Sequence, residues 1–325
     1  MRIAVTGSIA TDHLMVFPGR FEDQLLAGQL GHISLSFLVD TLDIRHGGVA
    51  ANIAYGLARL GHRPLLVGAV GRDFEAHHAH LASLGVDMAA VRVSESRHTA
   101  RFICTTDASD NQLASFYAGA MAEASAIDLA DVLRGNPGID FVHIGADDPA
   151  AMSRHTRACR TLGMPFAADP SQQLARLDGP TIRELVHGAE LLFTNAYERA
   201  LLLDKTGWHE RDVLDRVGTW ITTRGAEGSR IDRRGEPTVE VEAVPTTKAV
   251  DPTGVGDAFR AGYLSATGRG HDAVGAARAG SALATLALRN LGPQTYEPDP
   301  GLLETAPAPA RSGPGAAAPV AGAAR

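Results

Sequence analysis

At 325 residues, with 45% hydrophobic and 21% charged side chains, the chain has the size and mixture of one large globular α/β unit with an appendage. Its 30 lysines and arginines against 37 acids leave a formal net charge of -7, and Lys205 and Lys248 are the only lysines, so the basic footprint of a nucleic-acid binder and the polybasic run of a membrane-surface segment are both absent. No apolar run reaches about 18 residues, the N-terminus lacks a signal-peptide core, and Cys104 and Cys159 are too few for a disulfide framework; the expectation is no nucleic acid, no membrane and the cytoplasm as compartment.

A strand starts almost at once in Met1–Thr6, with Asp12 shortly after it. Residues 32–44 alternate Ile33, Leu35, Phe37 and Val39 with other side chains, a strand-like period. Leu65–Val70 reads as a buried strand followed by a helical stretch ending near Gly85. Arg97–Tyr117 reads as a hairpin turning at Asp107–Asn111. Phe141–Ala146 is another strand, Ala150–Leu162 an amphipathic helix stopped by Gly163, and Met164–Ala168, Glu190–Thr194 and Thr219–Thr223 continue the alternation. Short apolar strands separated by helices predict a doubly wound, mostly parallel sheet flanked by helices. The segments at 10–18, 32–46 and 97–118 break that rhythm and predict a small antiparallel β lid. From Thr305 the chain turns to Pro, Ala and Gly, so 1–305 is expected to form the domain and 306–325 a disordered tail.

The sharpest signal is Asp251-Pro252-Thr253-Gly254-Val255-Gly256-Asp257-Ala258-Phe259-Arg260-Ala261-Gly262. A glycine loop opening a helix points unsatisfied N–H groups outward, where the helix dipole also favours negative charge, and that combination suits phosphate. Asp257 stands at the same place; like charge disfavours direct phosphate binding there, but a carboxylate beside an anion hole is well placed to take a proton from an attacking hydroxyl. No Gly-x-x-x-x-Gly-Lys-Ser/Thr is present, and Phe259 stands where a dinucleotide fingerprint would need its third glycine. His77, His78 and His80 read as solvated residues of a surface helix.

That run resembles the second signature of the ribokinase-like carbohydrate kinase family, Asp-Thr-x-Gly-Ala/Val-Gly-Asp, with a departure at Pro252-Thr253. Arg45-His46-Gly47-Gly48-Val49-Ala50-Ala51-Asn52 resembles the family's first signature, and Asn195-Ala196-Tyr197-Glu198 its Asn-x-x-Glu. Thr223-Arg224-Gly225-Ala226-Glu227-Gly228 is similar to its nucleotide-binding loop. The resemblance covers roughly residues 1–295 and implies a ribokinase-like fold and ATP-dependent phosphorylation of a small hydroxylated acceptor. It implies Asp257 as general base, with Gly254, Val255 and Gly256 around the transferring phosphoryl group. Asn195, Thr223, Arg224, Gly225 and Gly228 would hold ATP, and Glu198 would hold Mg²⁺ through water. A monovalent cation such as K⁺ beside the Asp251 turn is a further family analogy.

The acceptor is addressed by the hairpin. A loop at Asp107–Asn111 sets Thr106 opposite Gln112 and Phe102 opposite Phe116, so the two rings share one face. Such a pair stacks on a planar base or packs in a dimer or core face, and geometry alone leaves both open. The segments 6–14, 34–40 and 168–177 resemble the bacterial branch of adenosine kinases. That resemblance implies Ser8, Asp12, Ser36, Gly48 and Asn52 at the nucleoside, Phe102 and Phe116 on its base, and Gln172, Gln173 and Arg176 lining the site. It also implies a homodimer paired through lid strands, one of which could lend a Phe to the partner site.

Overall fold

The computed structural model describes residues 1–24, 36–299 and 301. In chain order it contains β1 (Ile3–Thr6), β2 (Ala10–Val16), β3 (Thr41–Gly47), α1 (Val49–Arg59), β4 (Leu65–Val70), α2 (Glu75–Ser83), β5 (Asp87–Val93), β6 (Ala100–Thr106), β7 (Gln112–Tyr117) and α3 (Leu129–Gly135). There follow β8 (Phe141–Ile144), α4 (Pro149–Leu162), β9 (Phe166–Ala168), α5 (Gly179–Val186), β10 (Leu191–Asn195), α6 (Ala196–Thr206) and α7 (Glu210–Leu214). The last elements are β11 (Thr219–Thr223), β12 (Ser229–Asp232), β13 (Val239–Val241), α8 (Val255–Gly268) and α9 (Ala273–Leu288).

A nine-stranded sheet runs β13-β12-β11-β10-β9-β8-β1-β4-β5. It is parallel from β5 to β11, and only β12 and β13 are antiparallel. Both faces are covered, as a parallel sheet requires. Successive residues of β1 go to opposite cores: Ile3 and Val5 join α1, α8 and α9, while Ala4 joins α3, α4 and α5. The α8–α9 crossing is close because it is made at glycines. A Cβ at Gly262 would stand 2.7 Å from the Ala279 carbonyl, and one at Gly280 2.8 Å from that of Phe259.

Helix ends follow local chemistry. Asp148 caps α4 by accepting from the Ala150 and Ala151 amides at 3.1 Å, Pro149 fills its first turn, and Gly163 ends it at φ 63°. Asn195 and Glu198 form a capping box on α6.

The second sheet, β3-β2-β6-β7, covers the carboxyl ends of the main strands. Its ladders are antiparallel between β2 and β3 and between β6 and β7, as expected; β2 and β6 pair parallel, because the chain reaches β6 only after crossing through β4 and β5 of the main sheet. The strand expected at 32–46 runs from Thr41 to Gly47. Its partner β2 ends at Val16, so pairing stops at the bond from the Asp40 amide to the Val16 carbonyl, and Phe37 packs on the rings of Phe17 and Phe21 at 4.9 and 5.3 Å instead. Residues 32–35 and the expected tail at 306–325 lie outside the described residues.

The hairpin has the expected register, Thr106 opposite Gln112 and Phe102 opposite Phe116. His77 is buried, not solvated: its ring stacks on His46 at 4.2 Å, because α2 packs against the end of β3. Cys104 and Cys159 are both free and buried.

Candidate active site

The order of the main sheet reverses its direction of growth between β1 and β8, with β4 and β5 on one side and β9 to β13 on the other. A crevice opens outside the carboxyl ends of strands at such a switch point. Here Ser8, after β1, and Ala146, after β8, border a cavity of about 460 Å³. Asp12, Gly48, Asn52, Phe102, Phe116, Gln172, Gln173, Arg176 and Asp257 also line it.

Strand register explains the grouping. Asp12 of β2 pairs with Phe102 of β6, which pairs with Phe116 of β7, so one row of the small sheet carries a carboxylate and two rings toward the crevice. The Gly47-Gly48 turn is demanded by close approach. A Cβ on Gly47 would stand 2.7 Å from Asp12 Oδ2, and one on Gly48, at φ 97°, 2.6 Å from the Ser8 carbonyl. The Ser8 hydroxyl accepts from the Val49 amide at 3.0 Å and so ties the start of α1 to the end of β1.

The helix with the glycine loop closes the floor. Gly254 caps α8 at φ 72°, a conformation other residues rarely adopt, and a Cβ there would collide with Pro293. The Val255 amide is spent on the Pro252 carbonyl at 3.3 Å, while the amides of Gly256 and Asp257 belong to the first turn, where a helix has no intrahelical acceptor. Asp257 accepts from Asn52 Nδ2 at 2.8 Å. Burial pushes its carboxyl up to about 7, against the lowering pull of that hydrogen bond and of the Arg260 guanidinium. A base poised near neutrality is what proton abstraction from a hydroxyl asks for. Burial also lifts Asp12 to about 6, moderated by Arg45.

A second cavity, of about 340 Å³, adjoins the first and is lined by Ser171, Asn195, Glu198, Thr223, Gly256 and Arg260. Val49, Gln172, Gly254 and Asp257 border both. The Glu198 carboxylate accepts from the Asn195 amide at 2.7 Å, and burial raises its pKa, offset by Arg260.

Of the residues singled out in the sequence, Ser36 is exposed and lies outside both linings, Val255 lines neither cavity, and Arg224, Gly225 and Gly228 sit in the β11–β12 turn beyond the second cavity. In that turn Arg224 pairs with Glu240. Thr253, Met121 and Ala146 line the first cavity without having been singled out. The larger omission is Arg260, whose guanidinium is clasped by Asp169, with Nη2 to Oδ1 at 2.8 Å, both side chains being buried. A cation amid the small and apolar residues of α8 and an acid directly after β9 were the available signal.

A small sheet lying over the switch point of a doubly wound α/β sheet defines the ribokinase fold: a Thermotoga maritima ribokinase superposes with a TM-score of 0.75, covering 94% of this chain and 98% of that one at 19% identity. The chain belongs to the pfkB family of carbohydrate kinases, whose model matches residues 8–300. The Burkholderia thailandensis nucleoside kinase, in its complex with ADP-inosine, is 36% identical with a TM-score of 0.80, and the match covers 94% of each chain. A nucleoside kinase of Methanothermobacter thermautotrophicus is 34% identical over 260 residues, 79% of this chain and 82% of that one.

Proposed function

We propose that this protein is an ATP-dependent nucleoside kinase that phosphorylates the 5′-hydroxyl of adenosine or a related purine nucleoside. The observation that carries the reading is that Asp257 borders both cavities: the one with the carboxylate row and paired rings, and the one at the start of α8. A nucleoside in the first cavity directs its base to Phe102 and Phe116 and its ribose diol to Asp12, with Asn52 and the Gly48 backbone alongside. ATP in the second directs its γ-phosphoryl group to the Gly256 and Asp257 amides, with Asn195 and Thr223 nearby and Arg224, Gly225 and Gly228 on the nucleotide side. Asp257 takes the 5′-hydroxyl proton, the oxygen bonds to the γ-phosphorus, and the bond to the β-phosphate oxygen breaks to release ADP. Positioning and charge stabilisation supply most of the rate in such transfers.

Glu198 fits a role toward Mg²⁺ through water, since Mg²⁺ keeps several waters and takes one or two carboxylates beside substrate phosphates. When bound, the ion neutralises phosphate charge. Beside the turn where a monovalent cation is expected, both oxygens of the Asp251 carboxylate already accept hydrogen bonds. One oxygen of that carboxylate accepts from the Thr253 amide at 2.9 Å, the other from Arg45 Nη1 at 2.8 Å and the Gly292 amide at 2.9 Å. A homodimer through the lid is supported by the face turned away from the cavity, where Leu42, Ile44 and Leu113 are exposed.

The inosine complex of the Burkholderia relative favours inosine as a second acceptor. Gln173 Nε2 is committed to the Asp147 carbonyl at 2.8 Å, while its buried Oε1 has no partner among the described residues. Either the adenine amino group or the hypoxanthine N1–H could satisfy it. The test is ADP release with Mg-ATP and adenosine, inosine, guanosine, cytidine, ribose or fructose, with ³¹P NMR of the product. Purine nucleoside 5′-monophosphates are expected. Turnover confined to free sugars would overturn the reading.

A further inference from the structure

A row of hydrogen bonds leads from the candidate base into the protein, away from either cavity. Asn52 Nδ2 donates to Asp257 Oδ2 at 2.8 Å, Gln294 Nε2 donates to Asn52 Oδ1 at 2.9 Å, and His77 Nε2 lies 3.2 Å from Gln294 Oε1. The four residues come from α1, α8, α2 and the segment after α9, and Asn52, His77 and Gln294 are buried. The His77 ring is held by His46, stacked at 4.2 Å and 12°. The segment carrying Gln294 is pinned by the Tyr55 hydroxyl, which donates to the Tyr296 carbonyl at 2.6 Å.

Direction is forced from the cavity end. An ionised carboxylate only accepts, so Asn52 must turn its amide nitrogen to Asp257 and its oxygen inward. That oxygen needs a donor, which only the nitrogen of Gln294 supplies among its contacts. The Gln294 oxygen then needs a donor in turn, which makes His77 the Nε2–H tautomer. Desolvation and the neighbouring His46 hold the His77 imidazole down at about 3, so it stays neutral in the range where enzymes are assayed.

We propose that His77 and Gln294 are positioning residues for the phosphoryl-transfer base, fixing the amide of Asn52 in the one orientation that donates to the Asp257 carboxylate. The inference rests on the reading of Asp257 as base and extends it to two residues that touch neither cavity. Without the inner donors, Asn52 can turn over and present its oxygen, which only a protonated Asp257 satisfies. The base then stays protonated to higher pH. The other charged or titratable groups facing Asp257 are Arg260 from α8, Asp169 after β9, Asp12 from β2 and Tyr296. Those facing His77 are His46 from β3 and His80 from α2, the latter beside Arg59 of α1.

The experiment is the pH profile of kcat with Mg-ATP and the best nucleoside acceptor, for wild type, His77→Phe, Gln294→Met, His77→Gln and Asp257→Asn. His77→Phe and Gln294→Met are expected to move the acid limb upward by about one pH unit, the size of one lost hydrogen bond to a charged group. His77→Gln, which keeps a donor at the same reach, should restore the wild-type limb. The folded fraction is followed by circular dichroism at every pH and kcat is expressed per folded enzyme, so that acid unfolding of a less stable variant cannot imitate the shift. An unmoved limb in both variants, beside an inactive Asp257→Asn, overturns the positioning role alone. Near wild-type turnover of Asp257→Asn overturns the base and this role together. Independently of activity, ¹⁵N NMR of labelled histidine should show His77 as the neutral Nε2–H tautomer from pH 5 to 8, a range chosen around its depressed pKa. An Nδ1–H tautomer would defeat the proposal.

Discussion

The two ends of the crevice are built differently. At the phosphate end, Gly254, Gly256 and Asp257 stand on α8, which packs on α1 and α9, and the Arg260–Asp169 pair beneath is only 5% and 1% exposed. At the acceptor end, Phe102 and Phe116 stand on a four-stranded sheet whose outer strand β7 is exposed along its whole length, Phe116 being 49% exposed. The first is fixed by several elements at once. The second has the sparse packing of regions that open locally at low free-energy cost. Under the proposed function, the chemistry common to many acceptors would rest on the more buried part and acceptor choice on the more exposed one.

The strongest way to break this division is Asp257→Asn. If the phosphate end alone carries the chemistry, kcat should fall about 10²- to 10⁴-fold, the usual cost of losing a general base, with nucleoside binding by calorimetry nearly unchanged. Near wild-type kcat would move the chemistry elsewhere. As the base, Asp257 would act in its carboxylate form, so kcat of the wild type should fall on acidification through about pH 7, where burial has pushed its pKa. The sign for stability is the reverse of the usual carboxylate case. The folded pKa lies above the unfolded 3.8, so folding loses stability as pH rises through the window from 3.8 to about 7. Asp257→Asn should therefore melt higher than wild type at pH 8, a condition chosen above that window, as replacement of a strained site carboxylate commonly does.

The same division governs what could be read from the sequence. The grouping of residues around the second cavity was legible because it is local: Gly254, Gly256 and Asp257 fall within one helix turn, and the capping pair Asn195 and Glu198 within another. The hairpin register was legible because a tight loop fixes it, and Phe102 meets Phe116 as expected. What escaped depends on pieces far apart in the chain. The parallel pairing of β2 with β6 is decided by the route through β4 and β5, not by either strand's pattern. Within the strand expected at 32–46, residues 36–40 have the right alternation but, among the described residues, no partner beyond Val16. His77 sits among histidines and alanines that read as a solvated face, yet β3 brings His46 onto its ring. Arg260 finds Asp169 across 91 residues, and no spacing rule connects them.

The lid rings offer the next test. Phe102→Ala and Phe116→Ala are each expected to lower kcat/KM for adenosine by the loss of one base–aromatic stack, about 1–3 kcal/mol or roughly 5- to 150-fold. Any ribose activity should change much less, since a free sugar has no base to stack. A concentration-dependent defect confined to Phe116→Ala would mean that this exposed ring serves a partner's site. Equal losses on adenosine and ribose in a protein of unchanged oligomeric state would collapse the distinction between the two ends.

The smallest effect expected concerns how the lid is tied down. Asp73, just ahead of α2, accepts from the Thr99 amide and hydroxyl at 2.8 Å and from Arg101 Nη2 at 2.6 Å, and so anchors the start of β6 to the main sheet. Burial alone would raise its pKa, but these hydrogen bonds outweigh that and hold the carboxyl down at about 2. A depressed carboxylate contributes stability that is present above the unfolded 3.8 and is lost as pH falls through about 2. Asp73→Asn keeps an acceptor for Thr99 but loses the charge, and solvent screening discounts the pair, leaving about 1 kcal/mol at neutral pH. In a chain of this length that corresponds to a Tm lower by about 1–2 °C. Hydrogen exchange should quicken in β6 and β7 while α8 and α9 keep their protection, and KM for the nucleoside should rise with kcat nearly constant. Acidifying the wild type toward pH 2 should loosen β6 in the same way, and the variant should lack that added response. Equal exchange across lid and core in Asp73→Asn would show that the two ends open as one unit, and the contrast between them would fail.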